Sequence, residues 1–424
     1  MDYFSSPSHK DGIPERILTW LPLTLFFPVG FMYAGLFAFW VSWAVSGDWK
    51  NRLNNLIKNP LLIPVLSLSL VTLLMSLSHR SELVSDHEFW AAVGHYQTYL
   101  LVLPFLTLSS GSWQQKMENI FLGSAVLAAV LFLLNAVHVL PEVALFRSYV
   151  VYLGNKSILL GILLALAACM TWIKLAFDKQ VTFRNIILFV FLTLAAVFLA
   201  KTRTAVLLFL FGFVVVTLCS IRWSWKSLVI IALFVGSISA LWTYAVNQPR
   251  PATCVVNEVK AAPWEILHLR AVCTLQQVND LREGRRSKDD DGMRSEIYRI
   301  TSAIISEQPL AGHGAGSWMP IYHSRAQGLS SGTMTTPHSD YLLYLTEFGL
   351  IGLFALLMVW GQQFLVSVKL LRAGTALVQK RGLQLLLLTL FMSAGAFFNA
   401  IMRDAVFAVA FLILLSIPVS GLRR

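Results

Sequence analysis

The sequence predicts an all-α, polytopic integral membrane protein with about twelve transmembrane helices. Of its 424 residues, 56% are hydrophobic and 13% are charged, and the mean hydropathy is +0.66. The apolar residues stand in continuous runs that approach the roughly 20 residues needed to cross a bilayer. Continuous runs exclude a membrane β-barrel, because its strands would alternate apolar and polar residues.

The predicted spans divide the chain into three parts. A membrane domain with nine spans (1–246) is followed by a polar loop (247–338) and by a second membrane domain with three spans (339–424). The first two runs form one stretch that only Pro28-Val29-Gly30 divides. The predicted spans are 17–29, 30–46, 60–77, 90–108, 119–140, 157–177, 184–200, 203–219, 227–246, 339–368, 383–400 and 402–418.

The basic residues predict the orientation, because Lys and Arg are enriched in the cytoplasmic loops of membrane proteins. With the N-terminus in the cytoplasm, the inner loops and the two termini hold 17 basic residues and the short outer loops hold 6. Both termini are therefore expected to be cytoplasmic, and the polar loop to face outward. The first apolar run lacks the small-residue site of a cleavable signal peptide. The net charge of +11 is scattered over these loops, which argues against a nucleic-acid partner.

The four cysteines fall into two pairs. Cys169 and Cys219 lie within apolar runs and are interpreted as packing residues. Cys254 and Cys273 lie in the polar loop, where an oxidising compartment would permit a disulfide. Their spacing suggests neither a zinc site nor a catalytic thiol.

The polar loop is predicted to cap a membrane-embedded cavity. Residues 263–282 can form a helix, and the apolar residues of 292–307 recur at helical spacing. Pro309 ends that second helix. Gly312 to Gly316 are expected to form a flexible turn, and 317–335 a polar segment resembling a lid.

Two arginines are candidates for binding an anion. Arg203 follows Lys201 at the outer end of a span, and an arginine there is costly in hydrocarbon but favourable beside an anionic ligand. The alternative is an arginine that reaches the membrane interface, a role that suits Lys201 better. Arg294 lies in the first turn of the loop helix, where a helix N-terminus and a guanidinium together make an anion site. Its alternative is a solvated surface position.

His338, at the start of the tenth span, is the candidate general base. Histidine titrates near neutral pH and can accept a proton from an attacking hydroxyl group. An interfacial or capping histidine is the alternative, and the same two interpretations apply to His313. Asp404 follows Arg403 between the last two spans, where it can form an ion pair or orient a functional arginine.

The acidic clusters do not argue strongly for a metal. Asp86-His87-Glu88 has the D-x-E form that binds divalent ions in some lipid-dependent glycosyltransferases, but it lies in the second outer loop instead of the first. Asp289 to Asp291 precede the loop helix and are explained as its N-terminal cap. A phosphate-binding loop motif for ATP is absent from the sequence. We therefore expect no metal, nucleotide or other cofactor.

The order of these features resembles the O-antigen ligase family and its O-antigen polymerase relatives. Each motif is weak alone, but in this order on about twelve spans they are fairly specific, and the match in topology covers nearly the whole chain. Tyr298 stands where many relatives have tryptophan and Ser339 where many have asparagine, which affects sugar or acceptor preference. The matching pieces are Lys201-Thr202-Arg203-Thr204, Arg294 with Tyr298, Gln308-Pro309-Leu310-Ala311-Gly312-His313-Gly314, His338-Ser339-Asp340-Tyr341-Leu342 and Glu347-Phe348-Gly349-Leu350-Ile351-Gly352.

The resemblance implies a GT-C-like glycosyltransferase of the bacterial inner membrane with its active site on the periplasmic side. Such enzymes transfer a glycan from undecaprenyl pyrophosphate to a lipid A–core hydroxyl in lipopolysaccharide biosynthesis. It implies that His338 is the general base, that the anomeric carbon is inverted and that neither metal nor ATP is needed. It assigns the leaving pyrophosphate to Arg203 and Arg294, and substrate binding to Lys201, His313, Tyr298 and Asp404.

Three alternatives remain open at this point. An O-antigen polymerase uses the same donor with another lipid-linked glycan as acceptor. A protein O-oligosaccharyltransferase uses serine or threonine acceptors. A lipid-linked glycan transporter is less favoured, because its functional charges would lie near the bilayer midplane.

Overall fold

The structure is a computed structural model, and it describes the chain in several stretches. Over these residues the regular elements are helices, and Phe4 and Leu422 form one isolated antiparallel bridge. The predicted all-α class is confirmed for this part of the chain. The described residues are 3–4, 12–136, 155–177, 182–199, 203–220 and 290–423, with isolated positions between 232 and 276.

The described residues form fifteen α-helices. A 3₁₀ helix (Gln97–Val102) joins α5 to α6, and a π-helical turn (Ala195–Leu199) extends α9. In chain order they are α1 Ile13–Thr24, α2 Val29–Val45, α3 Trp49–Lys58, α4 Leu62–Ser78, α5 Asp86–Tyr96, α6 Leu103–Leu106, α7 Ser112–Ala136, α8 Asn155–Phe177, α9 Phe183–Leu194, α10 Arg203–Ser220, α11 Asp290–Glu307, α12 Trp318–Arg325, α13 Asp340–Leu371, α14 Ala376–Phe398 and α15 Ala405–Val419.

Four of the described helices are long and apolar enough to cross a bilayer, or five if α2 and α3 count as one broken span. The four segments are Ser112–Leu134, Ile158–Phe177, Asp340–Leu371 and Ala376–Phe398. Shorter apolar helices coincide with predicted spans at Leu62–Ser78, Phe183–Val197, Thr204–Ser220 and Ala405–Val419. The predicted run 227–246 lies almost entirely outside the described residues. Twelve spans and the three-part division of the chain therefore stay predictions.

Helix α15 lies at the centre of the described bundle. Every residue from Phe407 to Val419 is buried, so the helix is enclosed on all sides. This agrees with its composition, because a helix that is apolar all round must be covered all round. Helix α13 packs against α14 and α4, while α14 also packs against α10 and α8. The start of α13 is thereby held within the bundle.

Helix α3 turns its polar side chains toward the protein. It bends by 113° from α2, in a stretch predicted to be a loop. Arg52 and Asn55 are buried, whereas Trp49, Leu53 and Ile57 are exposed. An apolar face turned outward is typical of a helix that lies along a membrane interface.

Helix α14 begins seven residues before the predicted span and includes two basic residues that were expected in a loop. Lys380 Nζ lies 2.9 Å from Glu118 Oε1, and Arg381 donates a 2.6 Å hydrogen bond to Gln114 Oε1. Both cations are nearly buried. Buried charges need such polar partners, which explains why the helix can include them.

Candidate functional site

Helix α13 is broken at Gly349, within a predicted span. Gly349 has φ 61° and ψ −159°, so the element consists of two helices, 340–348 and 350–371. A break frees backbone groups that must find other partners within a membrane. Here Leu350 N–H donates to the Pro309 carbonyl at 2.8 Å, and Ile351 N–H to Leu310 at 3.3 Å. Part of the predicted polar loop is therefore inserted at the break.

The same insertion continues through the glycine segment, which we define as residues 308–317. His313 N–H donates to the Thr346 carbonyl at 2.9 Å, and Gly314 N–H donates to the Glu347 carbonyl at 2.9 Å. Gly312 has φ 70°, and a Cβ on it would lie 2.5 Å from the carbonyl carbon of Glu347. We expected a flexible turn here, but backbone hydrogen bonds hold the segment against α13.

The ring of His313 closes the end of α11. Its Nε2 lies 3.0 Å from the carbonyl oxygen of Ile304. A carbonyl oxygen only accepts, so Nε2 carries the proton and donates. This contact gives His313 a role in the fold, and its predicted role in substrate binding remains a proposal.

The segment 317–335, which we expected to be a polar lid, contains a packed helix. Trp318 and Tyr322 of α12 are fully buried, and their rings stack with centroids 4.5 Å apart. Trp318 Nε1 donates to Thr301 Oγ1 at 3.0 Å, which ties α12 to α11. Because two of its aromatic side chains are buried, this segment is packed into the protein and is not a loosely attached lid.

Polar contacts also hold the residues that follow α12. The Tyr322 hydroxyl donates to Ser331 Oγ at 2.7 Å, and Ser331 N–H donates to Glu296 Oε2 at 3.2 Å. His323 Nε2 donates to the Met334 carbonyl at 2.8 Å. These contacts hold the residues between α12 and His338 in place beside α11.

An ion pair joins the C-terminal ends of α11 and α12. The two terminal guanidinium nitrogens of Arg325, Nη1 and Nη2, each lie 2.7 Å from a carboxylate oxygen of Glu307. Hydrogen bonds from Arg325 lower the pKa of Glu307 below its ordinary value. The pair therefore stabilises the fold above the ordinary carboxyl pKa, and this contribution is lost as the pH falls through the lowered pKa.

His338 stands at the entrance to α13, as predicted, in an uncommon backbone conformation. Among the described residues it is the one non-glycine with a positive φ, 52°. Its N–H donates to Thr336 Oγ1 at 3.4 Å, and its side chain is half-buried. Non-glycine residues with left-handed backbones are uncommon and occur often at functional sites.

The α14–α15 turn, residues 399–404, contacts the chain on both sides of His338. The buried carboxylate of Asp340 accepts hydrogen bonds from Met402 N–H at 2.9 Å and from Arg403 N–H at 3.2 Å. The Arg403 guanidinium donates to the Thr335 carbonyl at 2.8 Å. Contacts on both sides of His338 therefore join its loop to the α14–α15 turn. One of these contacts is made by the guanidinium of Arg403, so this cation lies next to the loop.

Asp404 has a capping role in the fold. Its Oδ1 accepts a hydrogen bond from Val406 N–H at 3.0 Å, so it is the N-cap of α15. A carboxylate at the N-cap position accepts a hydrogen bond from one of the unpaired N–H groups in the first turn of the helix. Arg403 points instead to Thr335, and a direct role for Asp404 in substrate binding remains a proposal.

Arg203 begins α10 on the other side of the same turn. The structure describes its backbone but not its side chain, and Lys201 lies outside the described residues. The next residue, Thr204, is buried, and its Oγ1 accepts a 3.5 Å hydrogen bond from Asn399 Nδ2. Because Asn399 opens the α14–α15 turn, the start of α10 and the entrance to α13 flank one turn.

Arg294 and Tyr298 lie on α11, which confirms the helix predicted for 292–307. They are four positions apart, so they share one face, and both are half-buried. Arg299 is exposed, as its position on the helix predicted. Helix α11 packs against α13, the helix that begins two residues after His338.

The acidic residues in the first turn of α5 have partners that explain them. Asp86 forms an ion pair with Arg80, and Glu88 forms a capping box with Ser85. Across the described residues, no group of three or more His, Cys, Asp or Glu side chains is arranged to hold a metal ion.

The structure supports the predicted disulfide for one of its two cysteines, Cys273. Cys273 is disulfide-bonded, whereas Cys169 and Cys219 are free thiols. The predicted partner, Cys254, lies outside the described residues.

Sequence reasoning missed the residues that support the site. Tyr96 of α5 donates a 2.6 Å hydrogen bond to Glu347, although 251 positions separate them. No local pattern in the sequence signals such a pair. Asp340 and Glu347 were noticed only as parts of motifs, and their spacing of two helical turns was the available signal.

A family model described as O-antigen ligase matches residues 188–357. No curated protein matches the chain. The matched region includes Arg203, Arg294, the glycine segment, His338 and Gly349. The resemblance predicted from the sequence is confirmed by this match.

Proposed function

We propose, from the O-antigen ligase match over residues 188–357, that this multi-pass membrane protein is a glycosyltransferase of lipopolysaccharide biosynthesis. The family implies a lipid-linked glycan and an acceptor as substrates. The donor that we propose is an undecaprenyl-pyrophosphate glycan, and the acceptor is a hydroxyl of lipid A–core. The observation that carries the proposal is that the start of α10, at Arg203, and His338 flank the same turn.

In the proposed reaction His338 accepts the proton of the acceptor hydroxyl. The hydroxyl oxygen bonds to the anomeric carbon as the bond from that carbon to the pyrophosphate breaks. Attack from the side opposite the leaving group inverts the anomeric carbon. General base catalysis of this kind contributes typically 10²–10⁴-fold.

Arginines stabilise the leaving pyrophosphate in this proposal. Negative charge develops on it as the bond breaks, and Arg203 and Arg294 are the proposed partners. A donor aimed at developing charge is worth about 3 kcal/mol in the transition state. The pyrophosphate is already a good leaving group, so the proposed reaction uses neither a metal nor ATP.

We further propose that the site faces the periplasm of a bacterial inner membrane, with both termini in the cytoplasm. The disulfide at Cys273, in the polar loop, supports this orientation, because disulfides persist in oxidising compartments. The distribution of basic residues over the predicted loops supports it independently.

Replacing Arg203 with lysine is expected to reduce the transfer rate by about two orders of magnitude, because lysine lacks the planar fork that binds phosphate oxygens in pairs. The measurement is the initial rate of glycan transfer by purified protein. The matched control is Arg299→Lys, since Arg299 is exposed on α11 and is expected to have no role. A rate near that of the native protein would make Arg203 an interfacial residue.

The function itself is tested with two purified substrates, undecaprenyl-pyrophosphate glycan and lipid A–core, in chelator and without nucleotide. A lipid A–core product of reduced mobility is the expected result. Longer polyprenyl-linked glycans alone would identify a polymerase. Loss of transfer in chelator that magnesium or manganese restores would return Asp86 and Glu88 to consideration. No covalent product under any condition would overturn the proposal and favour a transporter.

A further inference from the structure

Two buried carboxylates lie at the ends of the first half of α13, residues 340–348. Asp340 is 0% exposed and Glu347 is 2% exposed. The step of seven positions from one to the other turns the helix by roughly 700°, so the two side chains lie on nearly the same face. Buried carboxylates are rarely found without hydrogen-bond partners. The partners of these two carboxylates therefore show which parts of the protein they join.

The first half of α13 needs support from outside itself. The break at Gly349 separates it from the longer second half, and its N-terminal end leads directly to His338. A helix of nine residues is not stable alone. Its position, and that of His338, therefore depends on contacts with neighbouring elements.

Asp340 supplies the first of these contacts. Its two oxygens accept hydrogen bonds from successive N–H groups of the α14–α15 turn, at Met402 and Arg403. His338 is two residues away. The carboxylate thus fixes the distance between the entrance of α13 and the turn that also contacts the start of α10.

Glu347 supplies the second contact and joins three more elements. Its Oε2 accepts hydrogen bonds from the Tyr96 hydroxyl at 2.6 Å and from Gly316 N–H at 2.9 Å. Its Oε1 accepts from Trp318 N–H at 3.4 Å. Helix α5, the glycine segment and the start of α12 therefore meet at one carboxylate.

The chemistry of these contacts makes a carboxylate hard to replace. Each group accepts backbone N–H donors on both of its oxygens, so each place requires two acceptors side by side. An amide in the same place offers one oxygen and one NH₂ group, so one N–H donor would face another donor. A buried donor left without an acceptor is destabilising, and the helix would shift to relieve it.

We propose that Asp340 and Glu347 are positioning residues for His338. Together they hold the first half of α13 at both ends, and through it they hold the imidazole against the acceptor hydroxyl. The inference rests on the proposed function, because it assumes that His338 acts on a substrate. Displacement of a catalytic group by about 1 Å can lower a rate by about 10²-fold.

The test compares Glu347→Gln and Asp340→Asn with Thr346→Val, all in the full chain. Thr346 is buried in the same half-helix, but its hydroxyl bonds only to the Leu342 carbonyl of that helix. We expect the two amide variants to lower kcat per folded molecule between about tenfold and a hundredfold, with KM within about twofold. Thr346→Val is expected to keep the native kcat.

Hydrogen exchange by mass spectrometry gives a second readout that does not need activity. Glu347→Gln is expected to speed amide exchange in 312–318 and 340–348, while Thr346→Val is not. Native kcat in folded Glu347→Gln and Asp340→Asn, beside an active native protein, would overturn the positioning role alone. Absence of transfer by the native protein would instead overturn the proposed function, and the positioning role with it.

Discussion

Replacing His338 with alanine is expected to abolish glycan transfer while expression and donor binding remain. The variant removes the proposed base, and general base catalysis is worth about 10²–10⁴-fold. Alanine also fits poorly at φ 52°, a conformation that costs most side chains roughly 1–2 kcal/mol. The loss of activity in this variant therefore combines a chemical and a conformational effect.

His338→Asn separates the two effects. Asparagine accepts the left-handed conformation more readily than alanine, but its amide is not a base. We expect it to fold as the native protein does and still to lose at least about a hundredfold in transfer rate. The control is His87→Ala, because His87 is exposed in the first turn of α5. Native transfer by His338→Asn would remove the imidazole from the mechanism.

Replacing Gly314 with alanine is expected to destabilise the fold severely. Gly314 has φ 91°, and a Cβ on it would overlap the carbonyl oxygen of His79. The contact is between two stretches of backbone, so no side chain can move aside. We expect the free energy of unfolding to fall by more than about 3 kcal/mol, which belongs to the small class of severe substitutions.

Gly328→Ala is the matched control for this prediction. Gly328 has φ 77°, but a Cβ on it would meet nothing within 4 Å. It therefore carries the conformational cost alone, roughly 1–2 kcal/mol. The measurement is thermal unfolding of both variants in detergent, beside the native protein. Equal losses of stability would show that the close approach to His79 can relax.

Local patterns in the sequence predicted most of the helices correctly. Helix α11 was predicted from the spacing of its apolar residues, and Pro309 was predicted to end it. The long apolar runs predicted α8 and α13 to within a few residues. These features depend on neighbouring residues and on burial in lipid, which is why periodicity and composition are sufficient.

The sequence was less informative about segments whose form depends on distant partners. Residues 312–316 were expected to be flexible and 317–335 to resemble a lid, because glycine and polar residues are typical of loops. The structure shows instead that the first segment is bonded to α13 and that the second contains buried Trp318. Both outcomes depend on contacts that the local pattern does not encode.

The sequence by itself determined the all-α class, the long polar loop, the order of the motifs and the entrance of His338 into a helix. Only the tertiary structure decided that the glycine segment fills the break at Gly349, and that Arg203 and His338 flank one turn. The tertiary structure also decided that Tyr96 pairs with Glu347. The reason is physical: a helix break and a buried carboxylate each leave hydrogen-bonding groups that must be satisfied. The residues that satisfy them are chosen by packing in space, across distances along the chain that no periodicity records.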